Sequence, residues 1–426
     1  MAELIQPVTG MNDVLADQAP YWERLESVAH ELFASYGYHR VRLPVIERTE
    51  LFSRSIGELT DIVSKEMFTF DDHGDSLTLR PEATAGVVRA ALSNGLLHNQ
   101  QQRLWCSGPM FRREKPQKGR YRQFNQMSVE ALGFAEPELD AELIVMAARL
   151  WQRLELRGVK LELNSIGTAE SRREYRQVLV EYFSRHRESL DEDSLRRLDR
   201  NPLRILDSKV PHMRGIVEAA PLLSDYLDAE SRAHFDRVQL LLADLDVPYT
   251  LNPRLVRGLD YYSRTVFEWI TQDARAQNAI CSGGRYDGLV AQLGGRDTPA
   301  VGWALGIERI IELMQAEGIG AGEAPLDAQL VAAGDAERRF GFELVDRLRE
   351  LQPGVRISLG MPSAGFKAQL RHADKSGARF ALIVGESELA EAKVALKPLR
   401  DGKPQRLLTV EECADVLREK PVVGIE

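Results

Sequence analysis

The sequence has few cysteines and no long apolar run. Its three cysteines lie far apart and include no CxxC pair. An odd number of scattered cysteines favours neither a disulfide framework nor a zinc site, so we expect no metal ligand among them. No stretch approaches the roughly 18 apolar residues that a membrane span needs, so we expect no membrane partner. The first ten residues, MAELIQPVTG, lack the basic start and apolar centre of a signal peptide, and we expect a cytoplasmic location.

Net positive charge is also lacking. The 426 residues have a formal net charge of -9, which argues against a protein that coats nucleic acid indiscriminately. The acidic excess lies in residues 1–325, which contain 39 Lys and Arg against 48 Asp and Glu, whereas residues 326–426 contain 16 of each. Between these regions, EGIGAGEAPLD is rich in glycine and has no apolar periodicity, as is typical of a linker. We therefore expect two domains, 1–325 and 326–426.

Apolar periodicity predicts a mixed α/β protein. A helical pattern from Trp22 to Phe33 precedes an extended segment in which Pro44 favours the edge or the end of strand pairing. Residues 168–244 are helical and highly charged, which indicates a helical insertion in a sheet domain. After the linker, strand-like and helical segments alternate from AQLVAAG to RFALIVG, and this pattern predicts a small α/β domain.

Positive charge is concentrated in one stretch, FRREKPQKGRYRQFNQ, at 111–126, which has six basic residues and one acidic residue. The turn residues of KPQKG separate two strand-like segments, so we expect an antiparallel hairpin with a basic loop. Alternation in the second segment predicts one polar face and one apolar face. The polar face contains Phe124, Gln126, Ser128 and Glu130, and the apolar face contains Met127, Val129 and Ala131. Such a polar face either meets solvent or lines a binding pocket.

Two further segments place polar side chains at unusual positions. TLRPEATAG puts Glu82 and Thr84 where a strand gives way to a helix, and a carboxylate there either stabilises the helix start or binds a ligand. LVRGLDYYSRTVFEW interrupts a strand-like run with Arg257 and the pair Tyr261 and Tyr262. Adjacent tyrosines are commonly half-buried packing residues, so neither segment by itself identifies a site.

Two further segments contain glycines within or next to strand-like runs. CSGGRYDGLV contains paired glycines, which let another group approach the backbone closely. VGWALGIERI then places Glu308 and Arg309 at the start of a helix that follows a glycine-containing strand.

Together these segments resemble the class II aminoacyl-tRNA synthetases, and within them the histidyl-tRNA synthetase family, over nearly the full chain. The helix and strand that end at Pro44 resemble the first motif of the class, FRREKPQKGRYRQF the second and VGWALGIERI the third. LVRGLDYY and CSGGRYDGL resemble two segments peculiar to the histidine enzymes. The resemblance implies an α/β fold whose α+β catalytic domain is an antiparallel sheet flanked by helices. It also implies a homodimer, a helical insertion near the tRNA acceptor stem and a C-terminal α/β anticodon-binding domain.

By resemblance, the activity is ATP-dependent attachment of L-histidine to tRNA(His) through a histidyl-adenylate. Arg112 and Arg257 would act at the α-phosphate, and Mg²⁺ would bridge the outer phosphates of ATP without a dedicated protein ligand that we can name. The residues implied to bind ATP are Arg112, Arg120, Phe124 and Arg309, with Phe124 stacking on adenine and Arg309 holding the γ-phosphate. The alternative is a synthetase-like regulatory subunit of ATP phosphoribosyltransferase, which binds histidine without charging tRNA. Such proteins typically lack the C-terminal domain and lose adenylation residues, both of which this chain keeps.

The resemblance also implies residues for histidine and for tRNA. Those for histidine are Glu82, Thr84, Arg112, Gln126, Glu130, Arg257, Tyr261 and Tyr262. Glu130 and Tyr262 would meet the imidazole. For tRNA, the residues are Lys118, Arg122, Lys367, Arg371 and Lys375. The last three are spaced at i, i+4 and i+8, so on a helix they form a basic stripe that either binds the anticodon stem or is only a solvated face.

Three residues depart from the pattern of the family. Arg113 and Asn125 stand where histidine is common, and Ala83 stands where glycine is common. Arg113 and Asn125 fall on the strand faces opposite Arg112 and Gln126. We expect them to change packing around the site rather than abolish its chemistry, whereas the methyl group of Ala83 lies close to the expected site of the histidine amino group.

Overall fold

The computed structural model of the protein describes residues 4–57, 60, 62–115, 119–198, 201–206, 208, 210–257, 259–271, 279–320, 326–361 and 363–418. The chain divides into two compact units, Met1–Gly322 and Glu323–Glu426. Among the described residues, no helix is both long enough and apolar enough to cross a bilayer.

The described part of the first unit contains eleven strands and ten α-helices. They are α1 (Ala19–Ser35), β1 (His39–Arg40), β2 (Ile46–Arg48), α2 (Thr49–Ile56), β3 (Phe68–Asp72), β4 (Asp75–Leu79), α3 (Thr84–Ser93), β5 (Gln102–Phe111), β6 (Gln123–Leu132), α4 (Pro137–Arg153), β7 (Val159–Ser165), α5 (Ala169–Arg185), α6 (Glu192–Leu198), α7 (Arg214–Ala219), α8 (Ala229–Asp244), β8 (Tyr249–Leu251), β9 (Ser263–Thr271), β10 (Ala279–Arg285), α9 (Leu289–Gln292), β11 (Ala300–Gly306) and α10 (Ile307–Ala316). Short π and 3-10 turns lie at Ile62–Glu66, Arg187–Ser189, Pro202–Ile205, Pro211–Met213 and Leu223–Tyr226.

Within the described part of this unit, eight strands form one large sheet in the order β1-β5-β6-β11-β10-β9-β7-β8. The inner pairs are antiparallel, as expected, but the two outermost pairs, β1 with β5 and β7 with β8, are parallel. Parallel neighbours need a long crossover connection, and helices α5 to α8 provide it between β7 and β8. A separate three-stranded sheet has the order β2-β4-β3.

One face of the large sheet packs against α1, α4, α8 and α10. On β11, Val301, Trp303 and Leu305 point into this core, whereas the alternate positions Gly302 and Ala304 face the other way. Helix α1 contributes the apolar stripe that its sequence predicts, and the buried members of this stripe are Leu25, Ala29, Leu32 and Phe33. The alternation of β11 therefore separates a closed apolar face from a face that is open to ligands.

The predicted hairpin is present as the antiparallel pair β5 and β6, with Phe111 opposite Gln123. Met127 and Val129 lie in the apolar core, as the alternation predicts. On the opposite face, Ser128 and Glu130 are fully buried at 0% exposure, so the solvated-face alternative is wrong for these two residues. Other segments of the chain must therefore cover the polar face.

The helical stretch between β7 and β8 divides between the two faces of the sheet. Tyr175 and Phe183 of α5 belong to the hydrophobic core on the same side of the sheet as the open face. Val238 and Leu242 of α8 instead belong to the core on the closed face, where α8 packs on α4. The last helix of the predicted insertion is thus an integral support of the sheet, because its apolar side completes the cover that α4 begins.

The second unit is a separate α/β fold. Its elements are β12 (Ala328–Ala332), α11 (Asp335–Leu351), β13 (Ile357–Ser358), α12 (Phe366–Lys375), β14 (Phe380–Val384), α13 (Glu386–Ala390), β15 (Val394–Pro398), β16 (Arg406–Leu408) and α14 (Val410–Arg418). The described strands lie in the order β13-β12-β14-β15-β16, with the first three parallel and the last two antiparallel to their neighbours. The alternating sequence pattern predicts the elements up to β14, and the final antiparallel strands and α14 extend them.

Candidate active site

A cavity of about 290 Å³ lies on the open face of the large sheet, over β6, β9, β10 and β11. Its wall includes ten of the residues predicted from the sequence: Glu82, Thr84, Arg112, Arg120, Phe124, Gln126, Arg257, Tyr261, Tyr262 and Arg309. Glu130 is not on this wall but is in contact with residues that are. Arg122 also lies off the wall, where its Nε donates to the Glu114 carbonyl at 3.3 Å. Lys118 lies outside the described residues.

Glu130 is the centre of a buried hydrogen-bonded cluster beneath the cavity. The hydroxyl of Thr84 donates to Glu130 Oε1 at 2.7 Å, and that of Ser128 donates to the same oxygen. The phenol of Tyr286 donates to Oε2. Burial raises the pKa of the Glu130 carboxyl from its ordinary 4.5 to about 7, although these three hydrogen bonds oppose the rise. The cluster is therefore a buried, ionisable acceptor that is surrounded by three hydroxyl groups.

Gly302 makes room for this carboxylate. Gly302 on β11 pairs with Glu130 on β6, and a Cβ at this position would overlap the Glu130 side chain. Its backbone conformation is ordinary, so the need for glycine comes from the close approach and not from a positive φ. Gly302, the first glycine of VGWALGIERI, is thus required because the Glu130 side chain occupies the space that any larger residue would need.

Glu82 lies at the entrance to α3, and its carboxylate accepts from the backbone amides of Thr84 and Ala85 at 2.7 and 2.9 Å. This is the helix-start role that the sequence allows, and the same side chain also lies on the cavity wall. Burial raises the pKa of Glu82, while the two amides and the charge of Arg112 oppose the rise. One carboxylate can therefore both stabilise the helix and present negative charge to the cavity.

Arg112 and Phe124 form the middle of the wall. The Arg112 guanidinium lies 5.2 Å from the centre of the Phe124 ring, and its Nε donates to the Pro81 carbonyl at 2.9 Å. Glu114 pairs with Arg120, whose Nε lies 3.2 Å from Oε2, and with Arg112 at a longer 3.9 Å. An aromatic face beside two guanidinium groups suits a planar base attached to phosphates.

Arg257 also lies on the cavity wall. It pairs with Glu268 of β9, and its guanidinium lies 5.7 Å from the centre of the Tyr262 ring. Both residues of the ion pair are largely buried, with side-chain exposures of 15% and 21%. Nearby, the buried Oε1 of Gln126 has no hydrogen-bond partner among the described residues. A buried polar atom of this kind is costly unless a ligand or water satisfies it.

Arg309 lies in the first turn of α10, and its guanidinium donates hydrogen bonds to two backbone carbonyl groups. Its Nε donates to the Gly119 carbonyl at 3.0 Å, and its Nη1 donates to the Ala279 carbonyl at 2.6 Å. The preceding Glu308 accepts from the backbone and side-chain amides of Asn125, at 2.8 and 2.9 Å to Oε1. Asn125, one of the three departures from the family pattern, therefore connects β6 to the start of α10.

The other two departures, Arg113 and Ala83, are not on the cavity wall. Arg113 packs its guanidinium over the Phe68 ring at 5.3 Å, away from the cavity. Ala83 is 1% exposed and packs in the core beneath α3. Arg113 and Asn125 thus make packing contacts and hydrogen bonds outside the cavity wall, and that they leave the chemistry intact stays a prediction.

Two important wall residues, Tyr286 and Glu268, were not among the residues predicted from the sequence. Tyr286 comes directly after β10, which contains the paired glycines of CSGGRYDGLV, and an aromatic residue next to those glycines is the available signal. Glu268 lies within the strand-like run TVFEW, where one acidic residue among apolar ones is the available signal. Tyr286 contacts Glu130 and Glu268 contacts Arg257 because the sheet brings these residues together, and no local sequence pattern predicts such contacts.

The cavity offers a charged end and a polar aromatic end. Arg112, Arg120 and Arg309 lie at one end, and burial followed by the repulsion of Arg120 and Arg112 lowers the pKa of Arg309. A bound polyanion would relieve that repulsion. The other end contains Tyr262, Tyr286 and the Glu130 cluster, which together can donate to and accept from a small polar ring.

The described residues contain no group of three or more His, Cys, Asp and Glu side chains that could hold a metal ion. Glu114, Glu268 and Glu308 nevertheless present carboxylates on the cavity wall. Magnesium commonly uses one or two carboxylates together with substrate phosphates and water, so this donor set fits a magnesium ion that arrives with a nucleotide.

Comparisons with known proteins agree with this geometry. Residues 10–310 match the family model described as histidyl-tRNA synthetase, and residues 330–420 match that of the anticodon binding domain. The chain is 50% identical over 419 residues to a histidine–tRNA ligase of Hydrogenovibrio crunogenus, covering 98% of each chain. It is 53% identical over 416 residues to that of Halorhodospira halophila, covering 97% of this chain and 98% of the other.

Solved structures give the same relationship. The structure of apo histidyl-tRNA synthetase from S. aureus superimposes with a TM-score of 0.82 at 34% identity, covering 98% of this chain and all of the other. A protein from Bacillus halodurans, described as an ATP phosphoribosyltransferase regulatory subunit/histidyl-tRNA synthetase, superimposes with a TM-score of 0.62 at 20% identity, covering 84% of this chain and 93% of the other. The second likeness shows a shared fold alone. Because the chain matches the family model over residues 10–310 and is 50–53% identical to two members, it belongs to the histidyl-tRNA synthetase family.

Proposed function

We propose that this protein attaches L-histidine to tRNA(His) at the expense of ATP, through a histidyl-adenylate. The observation that carries the proposal is that one cavity brings together Arg112 and Arg309, from the segments resembling the second and third motifs, with Arg257 and Tyr262 from a histidine-type segment. These residues are up to 197 positions apart in sequence and meet only through the sheet. Family membership and relatives at 50–53% identity favour this reading over that of a regulatory subunit.

In the first step, a carboxylate oxygen of histidine attacks the α-phosphorus of ATP, the bond from that phosphorus to the bridging oxygen breaks, and pyrophosphate leaves. Negative charge accumulates on the α-phosphate oxygens as the new bond forms. Arg112 and Arg257 both line the cavity, where their two guanidinium groups can stabilise this charge. Because Arg257 is already anchored by Glu268, it requires little reorganisation during the reaction.

The remaining parts of ATP fit the charged end of the cavity. The adenine would stack on Phe124, and the outer phosphates would lie against Arg120 and Arg309, since guanidinium forks match phosphate oxygens. Magnesium, when bound with ATP, would neutralise part of the phosphate charge. Glu114, Glu268 and Glu308 have carboxylates on the cavity wall that would assist in holding it.

Histidine fits the other end. Its ammonium group would lie between Glu82 and the unsatisfied Gln126 Oε1, which are both acceptors. Its imidazole would extend towards Tyr262, Tyr286 and the Glu130 cluster, which offer the donors and acceptor that its two ring nitrogens need. A side chain without these nitrogens would leave buried polar groups unpaired, and sites of this kind reject such analogues strongly.

In the second step, a hydroxyl oxygen of the tRNA 3′-terminal ribose attacks the carbonyl carbon of the adenylate. The bond from that carbon to the phosphate oxygen breaks, AMP leaves with the electron pair, and the hydroxyl proton passes to the leaving phosphate or to water. The C-terminal domain would bind the anticodon stem. By family resemblance we also propose a homodimer and a cytoplasmic location, and domain boundaries near residues 325 and 326.

Histidine-dependent exchange of labelled pyrophosphate into ATP tests the first step, with magnesium present and each of the twenty amino acids supplied in turn. We expect exchange with histidine and none with the others at comparable concentration. Charging of total tRNA with labelled histidine then tests the second step. Exchange without charging would support histidine activation but contradict the ligase function, and binding of histidine without exchange would favour the regulatory reading.

A further inference from the structure

One hydrogen bond joins the end of the basic hairpin loop to helix α10. The phenol of Tyr121, which follows the loop, donates to Glu312 Oε1 at 2.8 Å, across 191 residues of sequence. Tyr121 lines the active-site cavity, whereas Glu312 lines another cavity, of about 260 Å³, that also has Tyr121 on its wall. Glu312 is not on the wall of the active-site cavity, so its influence on a ligand there must be indirect.

A second contact joins the same segment of the loop to α10. Arg309 and Glu312 are three positions apart on this helix, so their side chains lie on one face. Arg309 Nε donates to the Gly119 carbonyl at 3.0 Å, while Glu312 accepts from Tyr121. The residue between these two contacts is Arg120, which is exposed and lines the active-site cavity. Helix α10 therefore holds the chain on both sides of Arg120.

The bond between Tyr121 and Glu312 is suited to a lasting connection. Both side chains are half-buried, and a hydrogen bond to a charged acceptor is stronger than one between neutral groups. Burial, and then the bond to Glu312, raises the pKa of Tyr121 to about 12. The phenol therefore keeps its proton and remains a donor at neutral pH.

We propose that Tyr121 and Glu312 are a positioning pair that holds Arg120 against the outer phosphates of ATP. The inference rests on the proposed function, in which Arg120 and Arg309 bind those phosphates. An exposed arginine loses conformational freedom when it binds a ligand, and a chain that is already held in place reduces this loss. The pair should therefore affect the binding of ATP and pyrophosphate, which contain the outer phosphates, and leave that of AMP and histidine unchanged.

The charge of Glu312 by itself would have the opposite effect on ATP. Burial lowers the pKa of Arg309 and the charge of Glu312 opposes this, so that charge is felt at the phosphate end of the cavity. If only this charge mattered, Glu312→Ala would strengthen the binding of ATP, because a carboxylate repels phosphate. A positioning role predicts weaker binding, since the bond to Tyr121 is lost. Glu312→Gln keeps an acceptor for the phenol without the charge, so it should bind ATP at least as well as the unchanged protein.

Calorimetric titration with ATP and with AMP, in the presence of magnesium, tests the pair without relying on catalysis. For Tyr121→Phe and Glu312→Ala we expect the Kd of ATP to rise about five- to tenfold, as the loss of one hydrogen bond to a charged group would give, with the Kd of AMP unchanged. Histidine-dependent pyrophosphate exchange should show the same rise in the KM for ATP and for pyrophosphate, and an unchanged KM for histidine.

Tyr182→Phe is the matched control, because it also removes a phenol that donates to a partner, the Ile216 carbonyl at 2.9 Å, but does not line the cavity. Both phenylalanine variants should lower the midpoint of urea unfolding to a similar extent, and only Tyr121→Phe should change the Kd of ATP. In an Arg120→Ala background, Tyr121→Phe should have no further effect on the Kd of ATP, because residues that act through one another are not additive.

Three results would overturn the proposal. An equal rise in the Kd of ATP and of AMP would show that the bond only maintains the fold around the site. A full effect of Tyr121→Phe in the Arg120→Ala background would show that the pair does not act through Arg120, and tighter binding of ATP by Glu312→Ala would show that only the charge matters. Absence of exchange in the unchanged protein, with the selective loss of ATP affinity still observed in Tyr121→Phe, would instead overturn the proposed function and support the positioning pair.

Discussion

The Glu130 carboxylate lies where a side chain at Gly302 would have to be, and the two residues are direct partners across β6 and β11. A glycine on one strand and a buried acid on the next thus form one unit. Because the acid also accepts from Thr84 and Tyr286, displacing it would disturb three elements at once.

Gly302→Ala should therefore impair histidine use. Overpacking of this kind costs about 1–3 kcal/mol, so we expect the histidine KM in pyrophosphate exchange to rise by roughly five- to 150-fold, with a smaller effect on the ATP KM. Gly288→Ala is the matched control, since a Cβ there would meet no atom within 4 Å. An unchanged histidine KM in Gly302→Ala would show that the Glu130 cluster does not shape the histidine pocket.

Arg257→Ala should lower turnover much more than it raises the histidine KM. Loss of one preorganised donor of this kind typically costs on the order of a hundredfold to a thousandfold in turnover. The substitution also leaves the Glu268 carboxylate without its partner, which adds repulsion towards phosphate. Comparison with Glu268→Gln and with the double variant in steady-state exchange separates the two effects. Preserved turnover with weaker histidine binding would make Arg257 a binding residue only.

Glu130 should titrate near pH 7 in the protein without ligand, far above its ordinary value of 4.5. Since the folded-state pKa is the higher one, the contribution of Glu130 to stability is complete below pH 4.5 and is lost as the pH rises through about 7. This interval corresponds to at most roughly 3 kcal/mol.

The free energy of unfolding in urea, compared between the protein and Glu130→Gln from pH 4.5 to 8.5, checks this prediction. The advantage of the unchanged protein over the glutamine variant should shrink with rising pH and then level off. Carboxyl carbon NMR with the same variant for assignment gives the pKa directly. Histidine should lower that pKa, because an imidazole N–H bonded to the carboxylate favours the charged form. A midpoint near 4.5 without histidine would contradict the prediction.

The basic stripe on α12 should bind tRNA without affecting adenylation. Lys367, Arg371 and Lys375 are exposed, while Gln369 and Ala373 of the same helix are buried, so the predicted stripe faces solvent. Replacing the three basic residues by alanine should weaken tRNA binding and flatten its salt dependence, with pyrophosphate exchange unchanged.

A matched control is the removal of three exposed charges elsewhere in the same domain, Arg339→Ala/Arg347→Ala on α11 together with Lys397→Ala on β15. Filter binding across a range of salt concentrations measures both the affinity and the slope. If the stripe variant binds tRNA like the control, α12 presents only a solvated face, and the domain contacts tRNA elsewhere.

Much of the fold follows from patterns within short segments. Strand alternation sets Gln126 and Glu130 on the face opposite Met127 and Val129, because successive side chains of a strand point to opposite sides. Helical periodicity likewise identifies the buried stripe of α1. These are properties of local backbone geometry, so the sequence by itself was sufficient to predict them, and the family motifs were sufficient to select most of the cavity wall.

The tertiary structure alone decided what covers the polar face and what each charge pairs with. Glu130 is buried because Thr84, 46 residues before it, and Tyr286, 156 residues after it, meet above the same strand. Arg257 has its partner in Glu268 of β9, and this ion pair forms only when the segment before β9 folds back on the strand. Strand alternation determines the face of the sheet on which a side chain lies. The solvation and the pKa of that side chain depend on which distant segments cover the face, and those segments come together only when the whole sheet forms.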